Sequence, residues 1–146
     1  MSEHDKYIRR CFELAELGRG NVEPNPVVGA VIVKDGKVIS EGWHQVFGGA
    51  HAEVEAFNNA SESVEGATLY CNLEPCCHTD KKTPPCTPLV IKKGILEVII
   101  SNIDPNPKVS GQGTEQLRKA GIKVVQGILE DEGKELNKEF FKQFIP

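Results

Sequence analysis

Apolar residues recur at spacings of three and four through Tyr7, Ile8, Cys11, Phe12 and Ala15, which predicts a helix over residues 4–18 stopped by Gly18 and Gly20. The pattern then shifts to strands at residues 27–34 and 37–41, separated by Asp35-Gly36, a tight-hairpin signal. A helix opens near His51 and carries Val54, Ala56 and Phe57. Residues 67–73 read as a strand whose end delivers Glu74-Pro75-Cys76. Pro84, Pro85 and Pro88 bracket the start of a short helix running to about Lys93, since a missing N–H costs least in a first turn. A buried strand over 97–102, a helix over 113–120, a strand over 123–129 and a helix over 130–144 follow. In the last of these, Leu136, Phe140 and Phe144 lie at i, i+4 and i+8.

Strands that alternate with helices in the second half imply parallel pairing and a sheet covered on both faces. The expected architecture is a three-layer α/β/α domain with a five-stranded mixed sheet, its first two strands antiparallel. No repeat, low-complexity stretch or linker divides the chain, so residues 1–146 read as one domain. Two proline-rich loops, Pro24-Asn25-Pro26 and Asp104-Pro105-Asn106-Pro107, are rigid because each proline fixes its own φ and restricts its predecessor; the second is expected to shape the far rim of a pocket, with a simple tight turn as the alternative.

Composition narrows the function classes. With 39% apolar and 26% charged residues the chain is an ordinary globular sequence. A formal net charge of −4 argues against a large nucleic-acid surface, though not against a local phosphate pocket. No apolar run approaches the roughly 20 residues that span a bilayer, and the start lacks the basic and apolar regions of a secretion signal. Five cysteines, three of them within eleven positions beside prolines and a histidine, suit metal binding in a reducing compartment better than crosslinking. The reading is a cytoplasmic protein.

The candidate chemistry lies in His51-Ala52-Glu53, then Pro75-Cys76, then Cys86. One imidazole and two thiolates can fill three corners of a zinc tetrahedron and leave the fourth open for water, the mark of a catalytic site. A His-x-Glu followed by Pro-Cys and a further Cys is the signature of zinc-dependent deaminases, in which the Glu is not a ligand but moves protons. His51 and Glu53 would point apart in mid-helix, so both belong in a first turn facing a cavity. The bland alternatives remain open at this stage. Cys77 can replace Cys76 as ligand, and His78 can close the site as a fourth. Cys11 and Cys71 fit as buried fillers.

Around this cluster the sequence resembles the riboflavin-pathway pyrimidine deaminases, the deaminase half of the RibD proteins, over nearly its whole length. The resemblance runs through residues 24–30, Glu41-Gly42-Trp43-His44, His51-Ala52-Glu53 and Leu73-Glu74-Pro75-Cys76-Cys77-His78. It continues through Lys82-Thr83-Pro84-Pro85-Cys86, Asp104-Pro105-Asn106-Pro107 and Gly111-Gln112-Gly113. It implies hydrolytic deamination of 2,5-diamino-6-ribosylamino-4(3H)-pyrimidinone 5′-phosphate with release of ammonia. It assigns Zn²⁺ to His51, Cys76 and Cys86, proton shuttling to Glu53, and substrate contacts to Asn25, His44, His78 and Lys82.

The chain departs from the family in a loop between Cys76 and Cys86 that is one residue longer than in many members, which leaves Lys81 as the alternative to Lys82. Cys77 stands where serine is common. Many relatives continue into a reductase domain that uses NADPH. This chain reads as having none, as either a monofunctional enzyme beside a separate reductase or an excised domain. The resemblance also implies a homo-oligomer, dimer or tetramer, with no nucleic-acid or membrane partner. Competing functions are a guanine- or cytosine-type deaminase, a tRNA deaminase, and a zinc-stabilised module without catalysis.

Overall fold

The computed structural model describes residues 2–76, 86–107 and 109–144. The elements in chain order are α1 (Glu3–Glu16), β1 (Gly29–Lys34), β2 (Lys37–Trp43), α2 (Ala52–Asn59), β3 (Thr68–Leu73), α3 (Cys86–Lys92), β4 (Glu97–Asn102), α4 (Gln112–Lys119), β5 (Lys123–Val125), α5 (Glu130–Leu136) and α6 (Lys138–Lys142). The five strands form one sheet in the order β2-β1-β3-β4-β5. β1 pairs antiparallel with both β2 and β3, while β3–β4 and β4–β5 are parallel. The expected mixed sheet is therefore present. The β1–β2 hairpin turns through Asp35 and Gly36, both at positive φ (52° and 79°), as a two-residue turn between twisted strands requires.

Side-chain alternation assigns the layers. Ala30 and Ile32 of β1, Leu69 and Cys71 of β3, and Val98 and Ile100 of β4 face α2, α3 and α4 through Ala52, Ala56, Phe57, Val90 and Leu117. The intervening Val31, Val33, Tyr70 and Ile99 face α1 through Tyr7, Ile8, Cys11 and Leu14. Both faces of the central strands are thus apolar and covered, as period-two patterning dictates for a buried sheet. Cys11 and Cys71 are wholly buried, one in each layer, and burial pushes both thiols well above their ordinary range.

Two expectations for the C-terminal third are corrected. The predicted strand over 123–129 stops at Val125, because Gly127 and Leu129 take up positive φ (84° and 53°). The predicted single helix over 130–144 breaks at Asn137, whose φ of −113° and ψ of 32° leave the helical region. The cause is a side-chain commitment. Asn137 is buried, and its amide is bonded to the backbone of Val27 rather than pointing to solvent.

Candidate active site

Parallel strands collect their C-terminal ends on one edge of a sheet, which is where open α/β folds place ligands. Here the ends of β3 and β4 meet the start of α2 around a cavity of ≈ 270 Å³. His51 is the N-cap of α2, with extended backbone (φ −72°, ψ 163°), and Glu53 lies in the first turn. The cap geometry removes the difficulty of i, i+2 spacing, since His51 precedes the helix and both side chains border the cavity. Glu53 is 3% exposed, a buried carboxylate at the mouth of a helix dipole that favours its charge.

Cys86 opens α3 and is fully buried. Its backbone N–H and that of Thr87 both donate to the carbonyl of Cys76, at 2.8 and 3.1 Å, tying the two cysteines across the intervening loop. His51 Nδ1 stands 3.3 Å from Cys86 Sγ. Burial first, then the nearby Glu53 and Cys76, pushes the Cys86 thiol far above its ordinary value. Such a group becomes a thiolate only when a cation supplies the missing charge.

A zinc ion bonded to one nitrogen and one sulfur holds them about 3.6 Å apart, so the His51–Cys86 spacing is within a few tenths of an ångström of a tetrahedral edge. Among the described residues no three His, Cys, Asp or Glu side chains close on one point. Cys76 adjoins through its carbonyl and through its effect on the Cys86 thiol. The donor set fits zinc in kind and along one edge.

His44 is buried beside His51. Its Nδ1 faces the Ala50 carbonyl at 2.9 Å and its Nε2 faces Asn25 Nδ2 at 3.2 Å. A ring that donates from Nδ1 and accepts at Nε2 satisfies both contacts, so this pattern assigns the Nδ1–H tautomer. The His44 and His51 rings meet edge to face at 5.6 Å. Asn25 and His44 therefore enter the cavity as a hydrogen-bonded pair. Cys77, His78, Lys81 and Lys82 lie outside the described residues.

Two features of the site escaped sequence reasoning, the anchoring role of Glu74 and the wall formed by Phe140, Gln143 and Phe144. Glu74, buried at the end of β3, accepts from the backbone N–H groups of Asp104, Gly111 and Thr114 at 3.0, 3.0 and 2.9 Å. It thereby fastens the 104–111 loop and the start of α4 beside Cys76. A Cβ on Gly113 would collide with the Pro75 carbonyl, so only glycine allows this approach. Asp104 and Asn106, linked by an Asx turn (Asn106 N–H to Asp104 Oδ1, 2.9 Å), line the cavity, as expected of the second proline-rich loop. Phe140, Gln143 and Phe144 form a further wall. The only sequence signal for Glu74 is a carboxylate between an apolar strand and a proline.

Replacing Glu74 with alanine strands one buried and two partly buried N–H groups, and we expect a loss of about 2–4 kcal/mol. Urea unfolding checks this; a change under about 1 kcal/mol would mean that water or the loop itself replaces the carboxylate.

The sheet order, with Glu53 in the first turn of α2 and the His51–Cys86 edge beside it, is that of an α/β deaminase, and the family comparison agrees. Residues 1–102 match the cytidine and deoxycytidylate deaminase zinc-binding region. The diaminohydroxyphosphoribosylamino-pyrimidine deaminase of Buchnera aphidicola (from Schizaphis graminum) is 50% identical over 94% of this chain and 92% of its own length. The riboflavin biosynthesis protein RibD of Aquifex aeolicus is 49% identical over 95% of this chain but 39% of its own length. A crystal structure of a diaminohydroxyphosphoribosylaminopyrimidine deaminase/5-amino-6-(5-phosphoribosylamino)uracil reductase from Thermotoga maritima superposes with a TM-score of 0.91 at 50% identity, over 97% of this chain and 41% of that one. This chain belongs to the diaminohydroxyphosphoribosylaminopyrimidine deaminase family, and it spans about two fifths of the length of several relatives it matches. No helix among the described residues is long and apolar enough to cross a membrane.

Proposed function

We propose that this chain catalyses hydrolytic deamination of 2,5-diamino-6-ribosylamino-4(3H)-pyrimidinone 5′-phosphate, giving 5-amino-6-ribosylaminouracil 5′-phosphate and ammonia, in riboflavin biosynthesis. The observation that carries the reading is Glu53, a buried carboxylate two residues from His51 and beside the Cys86 thiol at the edge of a cavity. His51, Cys76 and Cys86 hold zinc. When bound, zinc supplies Lewis acidity and lowers the pKa of water toward about 7. Glu53 takes one proton from the attacking water and gives it to the ring nitrogen, then takes the remaining proton of the added hydroxyl and gives it to the departing amine, which leaves as ammonia as the carbonyl forms. Asn25, through an amide that both donates and accepts, reads the ring edge, and His44 holds that amide in place. His78 and Lys82, or Lys81 in its stead, meet the ribose phosphate.

The relatives' printed names support the substrate, and the Thermotoga title supports a reductase as consumer of the product. That reductase is in the same polypeptide or a separate one. The grouping of three of the five cysteines beside prolines and a histidine, suited to a metal rather than to crosslinks, supports a cytoplasmic enzyme. The test is ammonia release from the pyrimidine phosphate, guanine, cytosine and dCMP. Turnover of the pyrimidine phosphate at least about a hundredfold above the others by kcat/KM is expected. Preference for guanine or cytosine would overturn the substrate and keep the chemistry.

A further inference from the structure

The loop that carries Asn25 is poor in backbone anchors. Pro24 and Pro26 have no N–H to donate. The segment is held by Asn25 N–H to the Val22 carbonyl, at 2.9 Å, and by what grips Val27. Val27 is buried and lies outside the regular ladder of β1, which begins at Gly29. Its polar groups are satisfied by two side-chain amides. Asn137 Oδ1 accepts from Val27 N–H at 2.8 Å, and Asn137 Nδ2 donates to the Val27 carbonyl at 2.9 Å. Asn72 Nδ2 donates to the same carbonyl at 3.1 Å while its Oδ1 accepts from Gly29 N–H at 2.8 Å. Asn137 thus acts as a one-residue β-bridge, 110 positions along the chain from the strand it extends.

The helix that Asn137 introduces does not serve the core. No α6 side chain is fully buried. Phe140 and Phe144 pack edge to face, 5.4 Å between centroids, and together border the cavity beside Asn25. Both rings are only partly buried, and an aromatic pair at a cavity wall leaves apolar area against water unless a flat ligand covers it.

We propose that the α5–α6 segment is a working part of the substrate site: Asn137 is a positioning residue that fixes the Asn25 loop through Val27, and Phe140 presents the apolar face against which the heteroaromatic ring lies. This rests on the deaminase reading of the site. It adds to that reading a binding wall that lies wholly beyond the 1–102 region matched by the family model. The metal-ligand candidates and Glu53 are on other elements, so the loss should fall on substrate binding.

The test uses the full chain and whichever heteroaromatic amine the wild type deaminates, with three variants. Asn137→Ala and Phe140→Ala should each raise KM about tenfold or more while kcat falls less than about threefold, with zinc stoichiometry unchanged. Phe140→Tyr, which keeps the ring, should restore KM. The Val27 amide should exchange with deuterium faster in Asn137→Ala and at the wild-type rate in Phe140→Ala. Should Asn137→Ala fail to fold, Asn137→Asp keeps the acceptor and leaves Asn72 to serve the Val27 carbonyl, and the same KM rise is expected. Unchanged KM in Phe140→Ala would overturn the aromatic face. Lower thermal stability with unchanged KM in the Asn137 variant would make that residue purely structural and overturn the positioning role. Turnover of guanine in place of the pyrimidine phosphate would sink the substrate assignment alone, since the KM comparison then runs on guanine.

Discussion

Glu53→Gln will keep its zinc and lose activity by about three orders of magnitude, roughly 4 kcal/mol of transition-state stabilisation. Glutamine matches the shape of the side chain and its acceptor oxygen, so α2 and the cavity wall should remain in place. What it removes is the capacity to hold and return a proton. Glu53 is 3% exposed, and that shelter makes water a poor replacement base. Ammonia release, with zinc measured on the same sample, separates the outcomes. Loss of zinc in the variant would make Glu53 a ligand or a structural anchor. Retention of more than about a tenth of the activity would place the proton shuttle elsewhere.

Cys86→Ala will lose both zinc and activity. The thiol is fully buried, 3.3 Å from His51 Nδ1, and its backbone ties α3 to Cys76. Its replacement leaves a methyl group where a charged donor is needed, and two remaining ligands cannot hold a catalytic zinc. We expect zinc content below about a tenth of wild type after dialysis against a weak chelator. The backbone bonds from residues 86 and 87 to Cys76 survive the change, so the far-ultraviolet circular dichroism spectrum should survive as well. Full zinc occupancy in Cys86→Ala would remove this residue from the ligand set and point to a donor in the 77–85 segment.

Sequence reasoning worked where the physics is local. Apolar runs bounded by turn signals exposed β1, β3 and β4, because a central strand buries both of its faces. His51 and Glu53 were legible because a cap and a first turn are close in sequence and their chemistry is tied to residue type. The C-terminal third was less legible. Leu136, Phe140 and Phe144 have helical spacing, yet the helix between them breaks. The decisive partner of Asn137 lies at Val27, beyond the reach of any sequence window. Glu74 was invisible for the same reason, since its three donors are 30 to 40 residues away. A single buried polar side chain can hold a wall in place, and periodicity says nothing about it.

The strand order β2-β1-β3-β4-β5 has a bearing on how the molecule comes off the ribosome. After the first hairpin, every strand pairs with one that has already been synthesised, and β3, β4 and β5 add in turn to a single growing edge. The sheet can therefore be laid down as it is made, with no strand waiting for a later neighbour to be inserted beside it. The polar clasps run in the opposite sense. Glu74 emerges before all three of its donors, and Val27 emerges long before Asn137. Vectorial synthesis thus yields the scaffold first and the catalytic chamber last, when the final two helices swing back onto the residues that opened the chain.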